Sequence, residues 1–182
     1  MPVTGYGLAQ RDGLAAQVLE YCKRHGVKIA AAESLTGGLL ADAFVRIPGA
    51  SEVFLGSAVT YDIRAKAKIL GVDASLLARE GAVHPEVARQ MAAATARLYD
   101  QPEYGGRVIG LSTTGVAGPG PDGDKPAGLV YIGCSLPAVL TGGERTESAV
   151  ELHLHGDRGR VREQTVWHVL NNVRQLTVGL QE

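Results

Sequence analysis

Ser34 and Lys66 are the residues of this chain whose types together suit acyl-transfer chemistry. Ser34 lies in Ala-Ala-Glu-Ser-Leu-Thr-Gly-Gly at 31–38, between an apolar run at 27–32 and the helically spaced Leu39, Leu40, Ala43, Phe44 and Ile47. That is a strand handing over to a helix. The first amides of such a helix lack internal partners and carry partial positive charge, so an anion, or an oxygen becoming one, is stabilised there. Gly37 and Gly38 let another molecule approach the backbone, and Ser34 and Thr36 place hydroxyls at the same edge. The simpler reading is that Ser34 or Thr36 only caps the helix.

Lys66 sharpens the choice. On a helix over 63–70, Ile63, Ala67 and Leu70 form one apolar face with Lys66 inside it, while Arg64 and Lys68 point elsewhere. Such a lysine either snorkels to solvent or is buried and loses its proton more easily. Buried and neutral, it could take the proton of Ser34 and make the hydroxyl a nucleophile. None of the five histidines is better placed: His153 and His155 share a strand face without a third metal ligand, His25 and His168 lie in helical segments, and His84 opens one. No metal site is implied.

Two further patterns resolve against nucleotide motifs. Gly118-Pro-Gly-Pro-Asp-Gly123 matches G-x-G-x-x-G in letters, but a strand follows it where a dinucleotide fingerprint opens a helix. It also fails as a phosphate loop, because Asp124 precedes Lys125 and Pro126 replaces the hydroxyl residue. A rigid wall of a substrate pocket is the remaining reading. Arg158 and Arg162, four apart after Gly156-Asp157, put two guanidinium groups on one face near a helix start. They could grip a phosphate or pair with Asp157 and Glu163.

These residues need elements to position them. Leu14, Val18 and Cys22 mark a first helix from Arg11 that stops at Gly26, after a loosely held tail at 1–10. Strands are expected at 27–32, 53–60, 107–113, 128–136 and 146–154, the last two joined around Thr141-Gly-Gly143. Helices are expected after Gly37, through Leu70, around 74–79, from Pro85 to Leu98 with His84 as a poor cap, and from about Gly156 to Leu176. Early strand–helix alternation followed by two sequential strands predicts an α/β fold, a three-layer α/β/α sandwich with a mixed sheet of about five strands. Residues 11–182 then form a single domain, and the loops carrying Ser34, Tyr61 and Gly115 converge at the carboxyl ends of the strands.

Composition agrees with that picture. The 182 residues can bury a core without staples, and a net charge of −1 gives no basic surface for nucleic acid. Cys22 and Cys134 form no Cys-x-x-Cys pair, and neither a basic-apolar leader nor a membrane-length apolar run appears. The expectation is a soluble cytoplasmic protein with no membrane partner.

Taken together, Ala32-Glu-Ser-Leu-Thr-Gly-Gly38, Val59-Thr-Tyr61 with Lys66 five residues on, Gly81-Ala-Val83, Thr114-Gly-Val-Ala-Gly-Pro119, Lys125-Pro126 and Gly156-Asp-Arg158 resemble the C-terminal domain of the CinA competence/damage-inducible proteins, from about Leu14 to Leu176. That domain also occurs as stand-alone nicotinamide mononucleotide deamidase. The resemblance implies an amidohydrolase of pyridine nucleotide salvage that converts nicotinamide mononucleotide to nicotinate mononucleotide and ammonia. It carries the nucleophile onto Ser34, the base onto Lys66, and a site role onto Tyr61, with no metal or organic cofactor. Substrate contacts are expected from Glu33, Thr36, Gly37, Gly38, Thr114, Gly115, Gly118, Arg158 and Arg162. The Gly37–Gly38 helix start would hold either the tetrahedral oxyanion or the phosphate. Departures are Asp62-Ile63 where the family commonly has Ser-Asn, His84 where serine is frequent, and Pro121-Asp122 in a loop that is usually richer in glycine. No counterpart of the N-terminal domain often fused in CinA proteins, nor any activity belonging to it, is expected here. Alternatives are a non-catalytic mononucleotide-binding or regulatory module of the same fold, or an amidase for another small amide. A homodimer is the expected assembly.

Overall fold

The computed structural model describes residues 6–180. Five strands, β1 (Lys28–Glu33), β2 (Phe54–Val59), β3 (Val108–Gly115), β4 (Leu129–Leu136) and β5 (Thr146–His153), form one sheet in the order β2-β1-β3-β4-β5. β1 is parallel to β2 and β3, and β3–β4 and β4–β5 are antiparallel. The helices are α1 (Leu8–His25), α2 (Leu39–Val45), α3 (Ile63–Leu70), α4 (Ala74–Glu80), α5 (Pro85–Leu98), α6 (Ala138–Thr141) and α7 (Arg158–Thr177). Helices cover both faces of the mixed sheet, as the alternation requires.

The two faces have different cores because strand residues alternate between them. Ile29, Ala31, Ile109 and Leu111 meet Val18 and Cys22 of α1, Phe44 of α2 and Val166 and Leu170 of α7. On the other face, Ala32 packs with Leu70 of α3, Leu76 and Leu77 of α4, and Val87 and Met91 of α5. Here α5 rests directly on backbone: a Cβ at Gly110 would stand 1.9 Å from the Ala92 carbonyl oxygen, and one at Gly133 would stand 2.3 Å from that of Ala88. These two glycines set the depth at which α5 lies on the sheet.

Three details differ from the sequence expectation. Helix α1 starts at Leu8, not Arg11, because the Gly7 carbonyl accepts from the amides of Gln10 and Arg11 while the Gly7 N–H donates to Gln10 Oε1. Of the expected tail, residues 8–10 are therefore helical, and residues 1–5 lie outside the described residues. The β4–β5 connection contains the short helix α6 between Pro137 and a left-handed Gly142. His84 caps α5 effectively, its Nδ1 accepting from the Glu86 amide at 3.2 Å.

Candidate active site

The end of β1 sends consecutive side chains to opposite faces. Glu33 continues the Ile29–Ala31 row toward α2, and Ser34 turns toward α3. Glu33 is fully buried. Its Oε2 accepts from Thr36 Oγ1 at 2.7 Å and from the amides of Gly38 at 2.9 Å and Leu40 at 3.0 Å. Its Oε1 accepts from the Ala41 amide at 3.0 Å and Ser57 Oγ at 2.8 Å. Five donors and a helix N-terminus offset the desolvation of this carboxylate. The anion at the start of α2 is thus the chain's own.

The Ser34 turn is fixed by backbone. The Ser34 amide donates to the Thr113 carbonyl at 3.0 Å, and the Gly37 amide donates to the Ser34 carbonyl at 3.1 Å. Gly37 and Gly38 both have positive φ, of 53° and 99°, which lets the chain reverse within two residues into α2. From α7, Arg162 donates from Nε to the Leu35 carbonyl and from Nη2 to the Thr36 carbonyl, each at 2.9 Å.

Helix α3 supplies the partner of Ser34. Asp62 caps it through the Arg64 amide, Gly71 ends it in the left-handed region, and Lys66 faces inward and is fully buried. Lys66 Nζ lies 3.0 Å from Ser34 Oγ, 2.6 Å from the Thr60 carbonyl oxygen and 3.5 Å from that of Tyr61. All three oxygens are neutral. Burial pulls the Lys66 pKa down to about 8, against a smaller upward pull from the Asp62 carboxylate. A neutral amine has two N–H groups for the two carbonyls and one lone pair, which is then left for the Ser34 hydroxyl. Ser34 itself is only 7 % exposed.

A pocket of about 250 Å³ is lined by Leu35, which follows Ser34 in the chain, by Tyr61 and Arg158, and by residues 115–122. Arg158 spans it, donating to the Gly118 carbonyl at 2.7 Å and to Tyr61 Oη at 3.0 Å. Among the expected substrate contacts, Gly115, Gly118 and Arg158 therefore gather at one cavity with Tyr61. Others are directed elsewhere. Glu33 and Thr36 point into the core, the Gly38 amide is taken by Glu33, the Gly37 amide closes the turn, Thr114 donates to the Ala82 carbonyl at 2.7 Å, and Arg162 braces backbone. The α2 N-terminus, expected to receive a ligand anion, is closed by Glu33. Among the described residues no group of three or more His, Cys, Asp or Glu side chains is arranged to hold a metal ion, and no helix is long and apolar enough to cross a membrane.

Sequence reading missed Thr60 and Thr113, which support the dyad and its turn. The signal was available: strand alternation puts both on inward rows beside β1.

Residues 11–177 match the CinA C-terminal domain. The chain belongs to the CinA C-terminal domain family. It is 44 % identical over 176 residues to a CinA-like protein of Frankia casuarinae, covering 96 % of this chain and 37 % of that one. It is 42 % identical over 165 residues to a putative competence-damage inducible protein of Caldanaerobacter subterraneus, covering 90 % of this chain and 37 % of that one. The chain thus spans a little over a third of the curated relatives it matches. Among solved structures it is similar to competence/damage inducible protein CihA of Agrobacterium tumefaciens, with TM-score 0.79 and 30 % identity over 91 % of this chain and 94 % of that one. It is also similar to competence damage-inducible protein A of Klebsiella pneumoniae, with TM-score 0.80 and 25 % identity over 91 % and 95 % of the two chains.

Proposed function

We propose that this CinA-family domain is an amidohydrolase that converts nicotinamide mononucleotide to nicotinate mononucleotide and ammonia in the cytoplasm, as a homodimer. The observation that carries the reading is the 3.0 Å approach of a buried, charge-starved Lys66 to Ser34 Oγ. Neutral Lys66 takes the Ser34 proton as Oγ attacks the carboxamide carbon. It returns that proton to the leaving nitrogen, ammonia departs, and water then cleaves the acyl-enzyme ester.

The oxyanion of the tetrahedral intermediate is assigned to the amides of Leu35 and Thr36, since neither donates to an acceptor among the described residues. The substrate phosphate is assigned to Arg158, which lines the pocket and would exchange its neutral partner Tyr61 Oη for a charged one. Asp62 caps α3 where the family commonly has serine, so this departure leaves the dyad intact.

Ammonia release from nicotinamide mononucleotide by purified protein tests the reading, beside Ser34→Ala and Lys66→Ala. Release that disappears in both variants supports it. No release from the unaltered protein, with the mononucleotide still bound, would instead favour a binding module or a different amide.

A further inference from the structure

The buried environment of the dyad contains a hydroxyl with nothing to bond. Thr60 is fully buried, and its Oγ1 has no hydrogen-bond partner among the described residues. Buried hydroxyls are nearly always paired, so an orphan beside reactive groups calls for a guest with polar atoms.

The register says where this hydroxyl stands. β1 and β2 are parallel with Ala32 opposite Ala58 and Glu33 opposite Val59, and the Thr60 amide donates to the Glu33 carbonyl at 2.9 Å, so the ladder continues to set Thr60 beside Ser34. Ala58 packs into the α3–α4–α5 core, and alternation puts Thr60 on that same face, where Ser34 meets Lys66. Thr60 and Ser34 thus stand at neighbouring positions on two adjacent parallel strands, whose backbones lie about 4.8 Å apart. The Thr60 carbonyl already holds Lys66 Nζ at 2.6 Å.

We propose that the Thr60 hydroxyl holds the water that hydrolyses the acyl-enzyme, an inference that rests on the amidohydrolase reading above. In that step the water oxygen bonds to the acyl carbon, one of its hydrogens passes to neutral Lys66 Nζ, and the other is held by Thr60 Oγ1. The tetrahedral centre then collapses, the bond from carbon to Ser34 Oγ breaks, and Lys66 returns its proton to Ser34. Acylation needs no water, so Thr60 acts on the second half of the reaction alone.

Thr60→Val removes the hydroxyl at constant shape. The expected result is a burst of ammonia equivalent to the enzyme present, then turnover roughly tenfold slower, the loss of one hydrogen bond to a reacting water. Intact-mass spectrometry should show the nicotinate mononucleotide acyl group accumulating on the protein. Thr60→Ser should restore turnover, and hydroxylamine, which attacks the ester without a positioned water, should discharge the valine variant and the unaltered enzyme alike. Because Oγ1 bonds to nothing, Thr60→Val should unfold at an unchanged or higher temperature. Unaltered turnover in Thr60→Val, slow turnover without an adduct, or failure of the variant to fold would each overturn the assignment while the deamidase reading stands. Failure of the unaltered protein to release ammonia would remove both.

Discussion

Glu33 and Lys66 are both fully buried and both serve the turn that carries Ser34, yet the chain treats them oppositely. The glutamate has five donors, three of them amides of one helix start. The lysine has three neutral oxygens, one of them at the limit of a hydrogen bond. A buried carboxyl group surrounded by matched donors fixes geometry, whereas a buried lysine denied a counter-ion is pushed toward its neutral form and becomes reactive. The sheet keeps these roles apart by putting them on opposite faces.

The contrast predicts opposite trades between stability and activity. The largest effect belongs to Lys66→Met, which should lower ammonia release by roughly a thousandfold or more while raising stability. An ordinary lysine titrates near 10.5 and Lys66 near 8, so between those values the unfolded chain binds the extra proton and stability rises with pH. Below that window the cost of burial is fully present, about 3 kcal/mol. Urea unfolding should therefore show Lys66→Met stabilised at pH 7 and its advantage shrinking by pH 10. A variant less stable at both values would break the comparison.

On the other face, Glu33→Gln should destabilise by about 2–4 kcal/mol, because the new amide nitrogen turns donors toward donors at the start of α2. Its activity should fall through a loosened turn, with the pH dependence of the remaining turnover unmoved. A shift in that dependence, measured as kcat/KM against pH, would show that Glu33 reaches the proton transfer itself. The smallest effect concerns Asp62. The rising limb of kcat/KM should centre near pH 8, and Asp62→Asn, which keeps the cap, should move it to lower pH by removing the carboxylate that favours charged Lys66. A limb that stays in place would remove Asp62 from the electrostatics of the base.

Much of this could be read in the chain. Helix α3 begins and ends where its sequence signals put it, with Asp62 and Gly71 as its limits, and the anomaly of Lys66 on an apolar face was visible from spacing alone. The same anomaly exists at Glu33, on the Ile29–Ala31 row of β1, and there it went unread. The motif drew attention to the glycines as a site for a ligand anion, when the carboxylate just before them already filled it. The two arginines of α7 show the limit of helical spacing. Arg158 and Arg162 share a face, but one reaches the pocket and the other ends on the Leu35 and Thr36 carbonyls, a choice made by loops far away in sequence.

β2 is an outermost strand, paired on one side with β1 and, among the described residues, with no strand on the other. It leads directly into Thr60, Tyr61 and the helix that carries Lys66, while Ser34 hangs from the interior strand β1. Edge elements generally open at lower free energy than central strands, so the base is expected to loosen before the nucleophile. Heat or mild denaturant should detach the edge unit first, leaving a folded chain with an idle serine, so that loss of turnover marks the loosening of one border of the sheet and precedes its collapse.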